Sequence, residues 1–309
     1  MDEHRRSKKL DLREIKNYFF SKDYELISVE QAWRHVTGVL RKGDKNYFLK
    51  LASTKGVAER TRNEFSWNNL ISSLPENQKF PVFIPQNHDS GEFKGLFWFL
   101  SDYAGKKLLA RPEDKNETGD LEKELPVIAE TAWKIINMKT DLTLPLDKEI
   151  PEEERKEKFF KLLGHWAGET PKDVTDLIAF IKDRFDYLQI APSHGDFIPW
   201  HFVRGDEGKL FLVDGEHAHV LGLKFYDVAY FYHRVYTKLK RPDIADRFLG
   251  EFGDLYEFSE EEKELFRFVL AQRLVGGYFD IEKGSITSIN LQDQLKTRLL
   301  QGKLFPSGY

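Results

Sequence analysis

The chain of 309 residues has no cysteine and only two methionines. Disulfides, thiolate metal centres and cysteine nucleophiles are thereby excluded, while the redox compartment is left open. Neither sign of charge dominates, since 47 Lys and Arg stand against 51 Asp and Glu for a formal charge of −4. So slight an acidic excess supplies no bulk positive field for nucleic acid or an anionic membrane surface. No run of about 18 apolar residues is present, so nothing is expected to span a membrane. The start, Met1-Asp2-Glu3-His4-Arg5-Arg6, leads into no apolar stretch of signal-peptide type, and the default location is cytoplasmic. Internal repeats and low-complexity segments are also missing. One local absence matters: Val29-Glu30-Gln31-Ala32-Trp33-Arg34-His35 contains no glycine, so no Gly-rich loop brings backbone N–H groups up to a phosphate there.

What is present is aromatic and apolar. Hydrophobic residues make up 40 % of the chain, charged residues 32 %, and there are 25 Phe. That composition belongs to a globular protein with an aromatic-rich core. Leu12, Ile15, Tyr18 and Phe19 are spaced for a helix over 11–22. Val36–Arg41 and Asn46–Ala52 read as two strands joined at Lys42-Gly43-Asp44-Lys45. Alternation in the second strand puts Lys50 on the face of Phe48 and Ala52, an unusual place for a charge. A helix over 57–72 follows, then an extended piece at 81–85 and an apolar strand at 96–100. That strand empties into Ser101-Asp102-Tyr103-Ala104-Gly105, a plausible hinge. Beyond it the pattern is mainly helical, over 121–139, 152–163, 226–238 and 243–252. Thr170-Pro171 reads as an N-cap opening a helix through Phe185. Ser259-Glu260-Glu261-Glu262 reads as a capping box opening a helix to about Gly276.

Within this helical half lies the stretch richest in chemistry, His194-Gly195-Asp196-Phe197-Ile198-Pro199-Trp200-His201, followed by Val213-Asp214-Gly215-Glu216. Phe202-Val203-Arg204 and Leu210 to Val213 flank the turn Gly205-Asp206-Glu207-Gly208 and predict a β-hairpin. Asp196 stands on the approach to the hairpin and Asp214 on its exit, so one carboxylate can act as base or orienter and the other can hold a metal.

This constellation resembles the catalytic loop and metal-binding segment of the aminoglycoside phosphotransferase and choline kinase superfamily, over roughly residues 25–280. The resemblance implies an α+β, bilobal protein-kinase-like fold, with a small antiparallel-sheet N-lobe carrying one helix and a larger, mainly helical C-lobe. The corresponding division is an N-lobe at 1–101 with an N-terminal helical extension, a hinge at 102–105 and a C-lobe at 106–309. It further implies that Asp196 faces the acceptor hydroxyl, with His194 a catalytic candidate acting chiefly within the structure of the loop. By the same resemblance Asp214 would be the Mg2+ ligand. Lys50 matches the family's strand lysine that contacts the nucleotide phosphates and Glu64 the glutamate that orients it, with Glu59 the competitor for that pairing. Asp102, Tyr103 and Ala104 resemble the family's hinge, whose backbone reads the purine edge, and Asp227 resembles the aspartate that supports the catalytic loop. The sequence departs from the family where His201 replaces the metal-binding Asn, since imidazole suits softer ions than Mg2+. In place of glycines, Arg34 or His35 are candidates to touch the phosphates.

The resulting expectation is a Mg2+- or Mn2+-dependent transfer of the γ-phosphate of ATP or GTP to a small hydroxyl acceptor, whose identity is open, as is the oligomeric state. Trp166, Tyr230 and Tyr232 could stack on a sugar or ring, with core packing their first use. Two rivals stand beside this reading. One is a degenerate kinase fold that binds nucleotide without catalysis. The other, from the residues alone, is a metallohydrolase site of His194, Asp196, His201 and Asp214.

Overall fold

The computed structural model describes residues 7–112, 118–147, 151–205, 208–282, 284 and 287–305. The expected turn residues Asp206 and Glu207, and the N-terminal six residues, lie outside these. The chain divides into two compact units. One takes the residues up to Lys107 together with Asp141–Asp147 and Val203–His219; the other takes Leu108–Thr140, Lys148–Phe202 and the chain from Val220 on. A division at 102–105 would be contiguous in sequence, whereas the compact units are not: Val203–His219 returns to the N-terminal unit.

That unit opens with α1 (Leu12–Phe20), whose N-cap Asp11 accepts from the amides of Arg13 and Glu14. Five antiparallel strands follow: β1 (Glu25–Ala32), β2 (His35–Lys42), β3 (Lys45–Ala52), β4 (Asn87–Phe93) and β5 (Leu96–Asp102), in the order β1-β2-β3-β5-β4. Gly43, at φ 61°, supplies the positive dihedral of the tight β2–β3 turn. The period of two sorts β3 and β5 onto two faces. Leu49, Leu51, Trp98 and Leu100 join Ile15 and Phe19 of α1 in one buried cluster. Ala52 and Phe99 face the other way, against Val57 and Ala58 of α2 (Lys55–Ser73). Lys50 pairs with Phe99 in the sheet register and so falls on the α2 face. A two-residue strand, β6 (Lys107–Leu108), ends this part of the chain.

The same unit regains the segment around the predicted hairpin, β8 (Phe202–Arg204) and β9 (Leu210–Leu212). The expected extended piece near Pro81 joins it: the Phe83 amide donates to Leu210 O at 2.8 Å and the Leu212 amide donates to Phe83 O at 2.9 Å.

The second unit is built from helices: α3 (Gly119–Ile136), α4 (Glu152–Gly168), α5 (Thr175–Asp183), α6 (Tyr226–Thr237), α7 (Pro242–Tyr256), α8 (Glu260–Glu282) and α9 (Ile289–Leu300). A two-stranded sheet of β7 (Ile190–Ser193) and β10 (His219–Leu223) accompanies them. From Leu265 to Phe279 nearly every residue of α8 is buried, as befits a helix enclosed by α4, α5, α6 and α9. The Ser259–Glu262 capping box forms reciprocally: the Ser259 amide donates to Glu262 Oε2 at 3.1 Å, and the Glu262 amide donates to Ser259 Oγ at 3.2 Å. The expected helix start at Thr170-Pro171 is not found. Thr170 Oγ1 accepts from the Lys172 amide, Asp173 accepts from the Thr175 amide at 2.9 Å, and α5 begins at Thr175 and ends at Asp183. No helix among the described residues is long and apolar enough to cross a membrane.

Candidate functional site

In the N-terminal unit the charged residue on the apolar strand face finds its partners. Lys50 Nζ donates to Glu64 Oε2 and to Asp214 Oδ1, each at 2.5 Å, and lies 3.3 Å from Glu216 Oε2. Glu64 is reached because α2 packs on the face that carries Lys50; Glu59 is exposed and is not the partner. The carboxylate oxygens of Glu64, Asp214 and Glu216 all lie within 4.8 Å of one another. Their side chains differ in access: Asp214 is 33 % exposed, whereas Glu64 and Glu216 are 8 % and 3 %. An all-oxygen set with one accessible carboxylate fits a hard divalent cation such as Mg2+ at Asp214.

The electrostatics follow from that crowding. Burial works against the charge on Lys50, but Asp214, Glu64 and Glu216 outweigh it and hold its pKa well above the ordinary value. Burial, joined by the neighbouring carboxylates and opposed by Lys50, lifts the Glu64 carboxyl to about 7. Glu216 goes the other way: burial would raise it, yet Lys50, His217 and His35 hold it below the usual range.

Glu216 is the centre that sequence reasoning passed over. Arg34 Nη2 donates to its Oε1 at 2.5 Å, and His35 Nε2 lies 3.5 Å from its Oε2. Burial and Lys50 depress the His35 imidazole to about 3, so it is neutral. Arg34, expected as a phosphate contact, therefore directs its guanidinium at Glu216, while His35 Nε2 lies 3.2 Å from Thr61 Oγ1 as well as close to Glu216. The available signal was the Asp214-Gly215-Glu216 spacing itself.

The segment carrying Asp214 and Glu216 is fixed by α2. Asp214 has left-handed backbone (φ 68°, ψ 47°) and leads a single 3₁₀ turn at Gly215–His217. A Cβ on Gly215 would lie 2.4 Å from Cδ1 of buried Trp67, so only glycine allows this approach. Asn63, fully buried on α2, donates to Ala218 O at 2.9 Å and accepts from the Leu146 amide at 3.1 Å. No sequence signal distinguished Asn63. At the expected hinge, the Asp102 amide donates to Gln86 O at 2.9 Å. Its carboxylate accepts from the Gln86 amide at 3.1 Å and lies 2.6 Å from His88 Nε2. Asp102 thus closes β5 with its own polar groups, and Tyr103 and Ala104 follow it.

In the helical unit, the loop after β7 carries His194, Gly195 and Asp196. Asp227, at the start of α6 and 1 % exposed, accepts from the His194 amide at 2.6 Å and from the Gly195 amide at 2.9 Å. A buried carboxylate bridging two successive N–H groups fixes that backbone strongly. Gly195 has φ 77°, a dihedral suited to glycine. Asp196 remains partly exposed. His201 closes the 3₁₀ turn Pro199–His201, and its Nδ1 lies 2.8 Å from Asp196 O. A protonated Nδ1 donating there puts the neutral ring's lone pair on Nε2. His194 is fully buried, with its ring edge-on to Phe197. A two-histidine metallohydrolase centre needs His194 to reach a solvent-facing ion, and this burial opposes it. Tyr232 is likewise a core residue, donating to Asp246 at 2.8 Å, whereas Trp166 and Tyr230 stay half-buried. Burial is the main reason the Tyr226 phenol is pushed up to about 12; Arg273 pulls against it and Tyr230, Asp196 and Asp227 add to it.

No family model matches the chain, and no curated protein matches it. Solved structures do. An aminoglycoside phosphotransferase solved in a ternary complex with ADP and hygromycin B superposes with a TM-score of 0.64 at 16 % identity, covering 93 % of this chain and 98 % of that one. A microcompartment-associated aminopropanol kinase gives 0.60 at 10 % identity, over 96 % and 99 %. An amicoumacin kinase solved in complex with AMP-PNP and Ca2+ gives 0.59 at 12 % identity, over 96 % of both. The chain therefore has the α+β, protein-kinase-like fold that these small-molecule kinases share.

Proposed function

We propose that the protein is a small-molecule phosphotransferase, moving the γ-phosphate of ATP or GTP onto a hydroxyl of a small acceptor. The observation that carries this reading is Lys50, buried and clasped by Glu64 and Asp214 at 2.5 Å each. A cation held in that way is pre-positioned to neutralise a polyphosphate. Asp214 would hold the divalent cation, Mg2+ or Mn2+; His201 is the second candidate ligand by sequence. When bound, that cation supplies charge neutralisation on the phosphates. Lys50 faces the α- and β-phosphates, and Glu64 keeps it oriented. Tyr103 and Ala104 present backbone to the purine edge beside Asp102. Asp196 orients the acceptor hydroxyl and takes its proton late, on a loop whose backbone Asp227 and His194 keep in place. Catalysis of this kind is mostly positioning and electrostatics. The kinship in fold with kinases solved with ADP, hygromycin B or AMP-PNP supports the reading at the level of reaction class.

Thermal-shift titration with ATP and GTP, with and without Mg2+ or Mn2+, tests it. A ligand bound by the folded state alone stabilises that state in proportion to ln(1 + [L]/Kd). The expected result is a metal-dependent rise in Tm that is lost in Asp214→Ala and kept in Asp196→Ala, with turnover lost in both. Absence of any nucleotide response would leave a degenerate fold; a response to Mn2+ or Zn2+ alone would favour a hydrolase.

A further inference from the structure

The helical unit buries a cation with no carboxylate of its own. Arg273, on α8, is 6 % exposed, and no acidic side chain among the described residues pairs with it. Its Nη1 lies 3.2 Å from the Tyr226 hydroxyl, and among the described residues its Nε has no hydrogen-bond partner. Three rings surround the guanidinium, with centroids 4.2 Å away at Tyr230, 5.6 Å at Tyr226 and 5.8 Å at Trp166. Gly276 leaves room for the group: a Cβ there would lie 3.3 Å from the Trp166 ring and 3.5 Å from Arg273 Nη1. Arg234, also buried, shares Tyr230 at 3.1 Å and pairs with Asp280 at 2.6 Å, while its Nε and Nη1 have no hydrogen-bond partner among the described residues. Of these two buried guanidinium groups, only Arg234 has a carboxylate partner among the described residues. Contact with aromatic faces offsets part of that burial but satisfies none of the unused N–H donors.

The three rings are only half-buried, so the cation lies beneath an accessible aromatic surface. Its place in the unit is also defined. Tyr226 immediately precedes Asp227, which holds the amides of His194 and Gly195 just ahead of Asp196. We propose that Arg273, backed by Arg234, binds an anionic group of the acceptor, a carboxylate or a phosphate, while the acceptor's body lies against Trp166, Tyr226 and Tyr230. The guanidinium fork matches either anion in a way that an ammonium does not. This rests on the phosphotransferase reading and narrows it: the acceptor is an anion, not an amine-rich compound.

A matched set of probes on one scaffold tests the inference in the full-length protein: glucuronate, glucose phosphate, glucose and glucosamine, each titrated by thermal shift and in turnover with Mg2+ and ATP. Glucuronate or glucose phosphate raises Tm, and the one that does so identifies the anion; glucose and glucosamine do not. Arg273→Gln weakens that response on the order of 100-fold while the nucleotide-induced shift persists. Arg273→Lys keeps the charge, guards against a folding defect in the first variant, and retains part of the affinity, with its loss in KM rather than kcat. Equal responses to neutral, cationic and anionic probes, or an anion response undiminished in Arg273→Gln, overturn the proposal. A nucleotide response with no anion response overturns it while leaving the phosphotransferase reading intact. An anion response that needs Arg273, without any nucleotide response, does the reverse.

Discussion

Lys50 sits where a lysine is hardest to keep, on a central strand facing α2 with its side chain 7 % exposed. It is stable there because Glu64 and Asp214 accept from it directly and Glu216 lies close by. Removing one member of such a buried set leaves uncompensated charge, which typically costs about 3–5 kcal/mol. Lys50→Met is expected to lose about that much in urea unfolding and to lose the nucleotide response. Adding Glu64→Gln to Lys50→Met is expected to recover part of the stability and none of the nucleotide binding. Recovery of both would separate Lys50 from the phosphates. At this scale the sequence was readable in one direction. Strand alternation placed Lys50 on an apolar face, and a following helix offered Glu64. Glu216 was marked only by its spacing from Asp214, and its pairing with Arg34, like the role of Asn63, was not readable, because these partnerships join segments far apart in the chain and no local pattern encodes which carboxylate a buried arginine will meet.

Elements were legible in proportion to their apolar content. β3 and β5 occupy the middle of the sheet and read as strands directly. β1 and β4 are its two edges, with half-exposed alternating patterns and polar sequences, and the sequence reading passed over both. Caps were legible where the side chains themselves carry the geometry, as at Ser259 and Glu262. Thr170-Pro171 offered the same composition, but Asp173 accepts from the Thr175 amide and sets the start of α5 there. The capping box makes a quantitative prediction. Burial would raise Glu262, but Lys224, Tyr256 and the Ser259 amide hold its carboxyl at about 2. The folded state therefore binds fewer protons than the unfolded state between about pH 2 and the ordinary Glu value, and stability rises with pH through that window. The contribution is present above about pH 4.5 and lost as pH falls toward 2. Glu262→Gln is expected to cost about 1–2 kcal/mol at neutral pH and to flatten the acid limb of the stability profile. An unchanged acid limb, measured by denaturant unfolding from pH 7 down, would remove Glu262 from that account.

Across the whole molecule, the compact units do not follow the order of the chain. The N-terminal sheet and α2 include Val203–His219 in their packing. Without that segment Arg34 lacks Glu216, Lys50 lacks Asp214, Trp67 lacks the glycine turn that covers it, and Phe83 lacks both of its backbone partners. A fragment ending at Lys107 would carry all five strands of the sheet and still leave buried charges unpaired. It is expected to show no cooperative thermal transition by circular dichroism; a sharp two-state melt would mean that the sheet and its two helices suffice. Sequence patterning conveyed the succession of strands and helices, but this discontinuity lies in long-range pairing, which periodicity does not report.

The same discontinuity sets a clock on biosynthesis. The first sheet leaves the ribosome about a hundred residues before the segment that completes its charge pairing, and at ~5–20 residues per second the wait is roughly 5–20 s. During that interval a nascent chain exposes Trp67 and a cluster of acidic and basic groups destined for burial, so the yield of folded protein should depend on how fast codons 108–219 are read and on which chaperones attend the exit tunnel.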